Sequence, residues 1–241
     1  MICVTDKRIP DYASDALLRL GFDIVRLPPL SSLPAPVASH ADLLIFTLGD
    51  NLLVRREYLT TANEEISKIA GYGCMNIVIT DSTAGEKYPS DVGFCACTAG
   101  KYLICREDVT DPILLSLAAD NGLETLNVRQ GYAKCSCAVT ADGSVITSDK
   151  GIAESLRKRG VDVLTISAGN VCLPGYDTGF IGGSCGLCGN VLFFVGDLRS
   201  HPDHALIEDF CLRHETSIFS LTSQKGLLTE PLFDVGSLFF I

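Results

Sequence analysis

The chain has 241 residues, 47% of them hydrophobic and 20% charged, with a formal net charge of −10 at neutral pH. That composition describes a packed globular protein rather than a disordered one, and the acidic balance argues against nucleic acid as the main partner, because phosphate neutralisation needs a basic face. No apolar run nears the roughly 20 residues that span a bilayer, and "MICVTDKRIP" has no basic region leading into an apolar one; neither membrane anchor nor signal peptide is expected, and a cytoplasmic location is the default.

In chain order, "ICVTDKRI" at residue 2 reads as a short buried strand passing into a helix, and "FDIVRL" as a second strand. The Pro/Ser-rich "RLPPLSSLPAPVASH" (26–40) is expected to be a surface loop that rims one face. "DLLIFTLGDNLLV" follows as a hairpin with Gly-Asp-Asn at its tip. The same succession then restarts at "LLVRREYL" (52), "YLICREDV" (102), "VITSDKGI" (145) and "VLFFVGDL" (191), a period of roughly 45 to 50 residues. Its second strands are "MNIVIT", "LETLNV", "VDVLTI" and "TSIFSL"; its hairpins are "DVGFCACTAGKYLI", "YAKCSCAVTADGSVI" and "DTGFIGGSCGLCGNVLF". Asp6, Asp108, Asp149 and Asp197 are placed to cap the helices. In "SHPDH" (200–204), Ser200 is the expected cap, since His201 and His204 lack a third metal ligand.

The last third strand, "FDVGSLFFI", has no partner in its own unit, and the chain begins with a bare "MICVTD". Pairing the two closes a ring and removes the exposed sheet edges. The expectation is a single α/β domain over 1–241: a five-fold pseudosymmetric propeller of ββαβ-type repeats, helices outside and hairpin strands at the hub.

Eleven cysteines without an export signal read as reduced, mostly buried thiols. Cys95/Cys97 and Cys135/Cys137 are two apart and expected to share faces; Cys185 and Cys188 fall near the next hairpin tip. The C-x-C spacing is not that of a zinc knuckle, and small residues are needed where five strands meet, so packing is favoured and neither metal nor cofactor is expected. The glycines of "GYDTGFIGGSCGLCGN" read the same way, Gly179, Gly182 and Gly183 on a hub strand, Gly186 and Gly189 at the tip.

Five such units in a closed ring resemble the pentein fold of the guanidino-group-modifying enzymes. "QGYAKCSC", "ITSDKGIA", "GYDTGFIGG", "GDLRSHPD" and "PLFDVGSLFFI" resemble a group of uncharacterised bacterial proteins of that fold. The resemblance implies a nucleophilic cysteine on the last hub strand, where the nearest residue here is Ser237, and a hub-strand histidine, where Tyr132 or Gly131 stands. None of His40, His201, His204 and His214 lies on a predicted hub strand, so the usual Cys/His pair is missing; Cys135 is the first alternative nucleophile.

Aligning the third strands gives a column of Asp42, Asp91, Tyr132, Asp177 and Asp234, with Lys134 as the one cation beside it. Converging carboxylates need a cation between them. In the resembling enzymes hub carboxylates hold a guanidinium, which implies a small cationic or guanidino-type metabolite as ligand. Turn-capping aspartates facing solvent are the plain alternative. A non-catalytic protein- or ribosome-interaction module, resembling the anti-association initiation factor, and a divergent guanidino hydrolase or amidinotransferase stay open, as do catalysis itself and the oligomeric state.

Overall fold

The computed structural model describes residues 1–223 and 230–241. The first unit is β1 (Ile2–Asp6), α1 (Asp11–Arg19) and β2 (Asp23–Leu27). A short turn of helix, α2 (Ala41–Leu44), leads into β3 (Ile45–Leu48), then β4 (Asn51–Arg55), α3 (Arg56–Gly73) and β5 (Asn76–Thr80). The third unit is β6 (Cys97–Ala99), β7 (Tyr102–Cys105), α4 (Pro112–Asp120) and β8 (Glu124–Asn127). The fourth is α5 (Ala133–Ser136), β9 (Ala138–Val139), β10 (Val145–Thr147), α6 (Lys150–Arg157) and β11 (Val163–Thr165). β12 (Cys185–Cys188), β13 (Val191–Val195), α7 (His204–Arg213), β14 (Ser217–Leu221) and β15 (Phe239–Phe240) complete the chain.

The strands form five three-stranded sheets with one repeated rule: the inner strand runs antiparallel to the middle one, and the middle one parallel to the outer. Middle strands are covered on both faces and read as unbroken apolar runs; β1, β7 and β10 are buried throughout. Outer strands carry exposed residues, as β14 does at Ser217 and Phe219. β1 pairs antiparallel with β15, Cys3 opposite Phe240, and Ile2 and Ile241 exchange backbone hydrogen bonds of 2.8 and 3.0 Å. The two ends of the chain thus close a five-fold α/β propeller, as the repeat pattern requires.

Local chemistry explains the helices. Asp149 accepts from Ile152 N at 2.8 Å and caps α6, which buries Ile152, Ala153 and Leu156 on one face. Asp197 accepts from Arg199 N at 3.0 Å. Three expected caps are corrected. Asp108 is exposed and ion-paired to Arg106, and Asp111 caps α4 instead, because Pro112 starts that helix three residues later. Asp6 holds Arg8, while α1 begins after Pro10 with no side-chain cap. Ser200 likewise accepts from Leu232 N, and the turn before α7 is held by Asp203 N donating to His201 Nδ1 at 3.0 Å. No helix among the described residues is long and apolar enough to cross a membrane.

Gly71 lies exposed in α3, and a Cβ there would meet nothing within 4 Å. Gly71→Ala is expected to raise stability by about 0.5–1 kcal/mol through helix propensity, read as a higher denaturation midpoint in urea.

Candidate functional site at the hub

Three inner strands are entered through a tight turn: α2, α5 and the 3₁₀ turn Gly182–Ser184. Asp42, Lys134 and Gly183 are the second residues of these turns, which sets what each repeat offers to the axis. Asp42 is buried. Its Oδ2 lies 2.9 Å from both Cys135 Sγ and Ser237 Oγ, and its Oδ1 has no partner. Ser237 has a left-handed backbone, φ +69°, uncommon for a residue with a side chain; it is fully buried with Oγ also 3.0 Å from Gly182 O.

Asp234 accepts from Phe180 N at 2.8 Å and Gly236 N at 2.9 Å. His40 is buried between it and Asp6: Nδ1 is 3.9 Å from Asp234 Oδ1, Nε2 is 3.7 Å from Asp6 Oδ2 and forms no hydrogen bond. Asp6 is taken by Arg8, whose guanidinium also donates to Ala35 O and Pro36 O at 3.1 and 2.7 Å. Burial pushes Asp42 and Asp234 above the ordinary carboxylate range and His40 below the ordinary imidazole value. Cys135 is pushed well up by its contact with Cys95, 3.6 Å away, and by burial, so it is a thiol rather than a thiolate.

A second group lies around Asp91. Asp91 is fully buried; Oδ2 accepts from the Tyr132 hydroxyl and Oδ1 has no partner. Tyr132 is half-buried, stacked on Tyr88 with ring centroids 5.6 Å apart and tilted against Phe180 at 6.0 Å. Burial, and after it the nearby Asp91 charge, raises the Tyr176 phenol pKa. Tyr88 and Tyr176 are 47% and 45% exposed, so this face brings solvent-exposed aromatic residues near a buried carboxylate; the Arg106 guanidinium already lies 5.6 Å from the centre of the Tyr88 ring.

Lys134 borders a cavity of about 230 Å³ whose walls come from all five inner strands, Thr47, Cys97, Val139, Cys185 and Phe239 among them. Its Nζ lies 5.8 Å from the centre of the Phe239 ring. Burial opposes its charge, but Cys97, Cys185 and Asp42 outweigh that and hold its pKa above the ordinary lysine value.

The structure brings Asp42, Asp234, Ser237 and Cys135 into one buried hub group, and Asp91 with Tyr132 into the aromatic one. Asp177 joins neither: it is exposed and forms no hydrogen bond or ion pair among the described residues. Seven residues separate it from β12, because the Gly182–Ser184 turn intervenes, and Gly183 takes its place in the column. Lys134 is also not the one cation. Arg55 is buried at the foot of β4, donating to Leu43 O at 2.7 Å with its guanidinium 3.9 Å from the Phe94 centroid. The cysteine pairs divide differently than expected: Cys95 and Cys135 pack in one core cluster, Cys97 and Cys137 in another, because Cys95 precedes β6 and Cys135 sits in α5. Of the two glycines expected at the tip, Gly189, φ +58°, is there, while Gly186 lies within β12 against Leu238. His40, Asp6, Tyr88 and Phe180 were missed from the sequence; only the adjacency of His40 to Asp42 hinted at any of them.

The sequence matches a family of unknown function, DUF6873, over residues 4–239. The chain belongs to that family. No curated protein is similar to it in sequence. Among solved structures, DDAH from Pseudomonas aeruginosa, complexed with citrulline, superimposes with a TM-score of 0.58 at 9% identity, over 92% of this chain and 91% of that one. An agmatine deiminase from C. jejuni gives 0.56 at 8% identity, over 92% and 87%. An amidinotransferase of saxitoxin biosynthesis from Microseira wollei gives 0.51 at 10% identity, over 97% and 93%. These are enzymes of the pentein, guanidino-modifying fold, and this DUF6873 chain has that fold.

Proposed function

We propose that this DUF6873 protein binds a small cationic, guanidino-type metabolite at the hub, on the face formed by Asp91, Tyr132, Tyr88, Tyr176 and Phe180. The observation that carries the reading is Asp91 Oδ1, a buried carboxylate oxygen with no partner, on a carboxylate whose other oxygen is bonded to the hydroxyl of a tyrosine packed between Tyr88 and Phe180. A cation is attracted by ring faces and by the carboxylate together, and desolvation strengthens both. Tyr132 covers Asp91 through its hydroxyl, so a guanidinium reaches the carboxylate by displacing that hydrogen bond. Asp177 stands at the exposed rim, one residue from Tyr176; Asp42, Asp234, Ser237 and Lys134 line the deeper hub and hold its charge balance.

The reading is one of binding without the usual chemistry of the fold. Ser237 replaces the nucleophile expected from the resemblance, its hydroxyl is directed at Asp42 and Gly182 O, and among the described residues no imidazole hydrogen-bonds to it. Cys135, the alternative nucleophile, is a buried thiol beside a carboxylate.

A thermal-shift panel tests it. Arginine, agmatine, methylated arginines, creatine-like guanidines and polyamines are offered to the wild type, since a ligand of the native state raises its melting temperature. A rise with guanidino compounds supports the reading. A well-folded protein that responds to none of them turns the account toward an interaction module, with the hub purely structural.

A further inference from the structure

We propose that the buried trio His40, Asp42 and Cys135 is a binding site for a divalent cation of the zinc class. One donor atom from each lies within 4.8 Å of the other two. The three residues come from two repeats, and their side chains are shut from solvent, at 1%, 1% and 2% exposure. Two polar atoms of the group have no hydrogen-bond partner, Asp42 Oδ1 and His40 Nε2. Buried polar atoms are rarely left so, and each such case asks for an explanation.

The donor set supplies one. Imidazole nitrogen, carboxylate oxygen and thiolate sulfur together suit zinc, whereas calcium and magnesium take oxygen. A second thiol, Cys95, lies 3.6 Å from Cys135 Sγ, close to the separation of two sulfurs that share one metal. The local charge points the same way. Asp6 and Asp234 lie 3.7 and 3.9 Å from the His40 ring nitrogens, Asp42 is within 4.8 Å, and Arg8 pairs with Asp6 alone. Lys134 offsets Asp42 only in part, and a dication would balance the carboxylates that remain. On binding, Cys135 gives up its proton to solvent and its hydrogen bond to Asp42 is replaced by two bonds to the ion. The site is separate from the Asp91 face, so either proposal can fail without the other.

The test uses the full chain, stripped with a chelator and titrated with cobalt(II) and then zinc(II). The expected result is one equivalent of cobalt per chain, with thiolate-to-cobalt charge-transfer absorption that zinc displaces, and a zinc-dependent rise in melting temperature. Cys135→Ser is expected to cut the charge-transfer band by about half or more, leaving only what Cys95 supplies, and Asp42→Asn to lower zinc affinity by about 100-fold or more, since losing even an outer partner of a metal ligand costs about 10–100-fold. A Cys74→Ser/Cys172→Ser double variant, which removes two exposed thiols, keeps the band. A wild type without the band or the zinc response overturns the proposal and needs no variant to fold. So does a folded Cys135→Ser protein with wild-type zinc affinity, or a band that disappears with Cys74 and Cys172.

Discussion

Replacing Gly183 by alanine is expected to lower the melting temperature by about 6–12 °C. The cost is steric rather than conformational. A Cβ at this turn would be driven into the Asp234 carboxylate, 2.5 Å from Oδ2 and nearer still to Oδ1. Asp234 cannot retreat without releasing Phe180 N and Gly236 N, the hydrogen bonds that set the last turn before β15. Overpacking of a filled core costs about 1–3 kcal/mol, and a buried polar group stripped of its partner about 1–3 kcal/mol more. A total near 3 kcal/mol corresponds to roughly 2–4 °C per kcal/mol in a chain of this size. Calorimetry on wild type and Gly183→Ala measures the difference. A shift under about 2 °C would show that the hub is looser than its contacts imply. Gly71→Ala, where nothing lies in the way, is the matched control.

The second large effect concerns recognition. Asp91→Asn is expected to weaken binding of a guanidino probe such as agmatine by about 100-fold, since it exchanges a charge-assisted pair for a neutral one in a site away from water. Asp177→Asn, at the rim and screened by solvent, is expected to change affinity by no more than about 3-fold. Tyr132→Phe separates cover from contact. It removes the hydroxyl bonded to Asp91, costing about 1–3 kcal/mol of stability, yet keeps the ring and frees the carboxylate, so the probe binds at least as tightly. Isothermal titration gives all three affinities. Equal losses at Asp91 and Asp177, or a large loss at Tyr132→Phe, would contradict this arrangement.

How much of this could be read from the sequence differs from element to element, for physical reasons. Strands such as "VLFFV" and "YLIC" announce themselves because both faces are covered, and ring closure follows from the unpartnered "FDVGSLFFI". The hub side chains are less legible, because their register depends on how many residues the turn before each inner strand consumes. Asp42 and Asp234 reach the hub as expected; Asp177 does not, since a 3₁₀ turn lies between it and β12. The place of His40 is invisible in one dimension. Its ring packs where Gly236, φ +64°, lacks a side chain, two elements separated by nearly the whole chain. The aromatic face is only half legible: Tyr88, Tyr132 and Phe180 recur at about the repeat period, but each lies in a connection outside the strands, where no strand alternation says which way its ring turns.

Recognition of a guanidinium at the hub through Asp91 is tested most directly by a crystal structure of the wild-type protein grown with agmatine. The account predicts the guanidinium against Asp91 Oδ1, with Tyr132 displaced from the carboxylate and Phe180 or Tyr88 stacked on the ligand. An undisturbed Tyr132–Asp91 hydrogen bond at saturating agmatine, with the ligand absent or bound elsewhere, would contradict it.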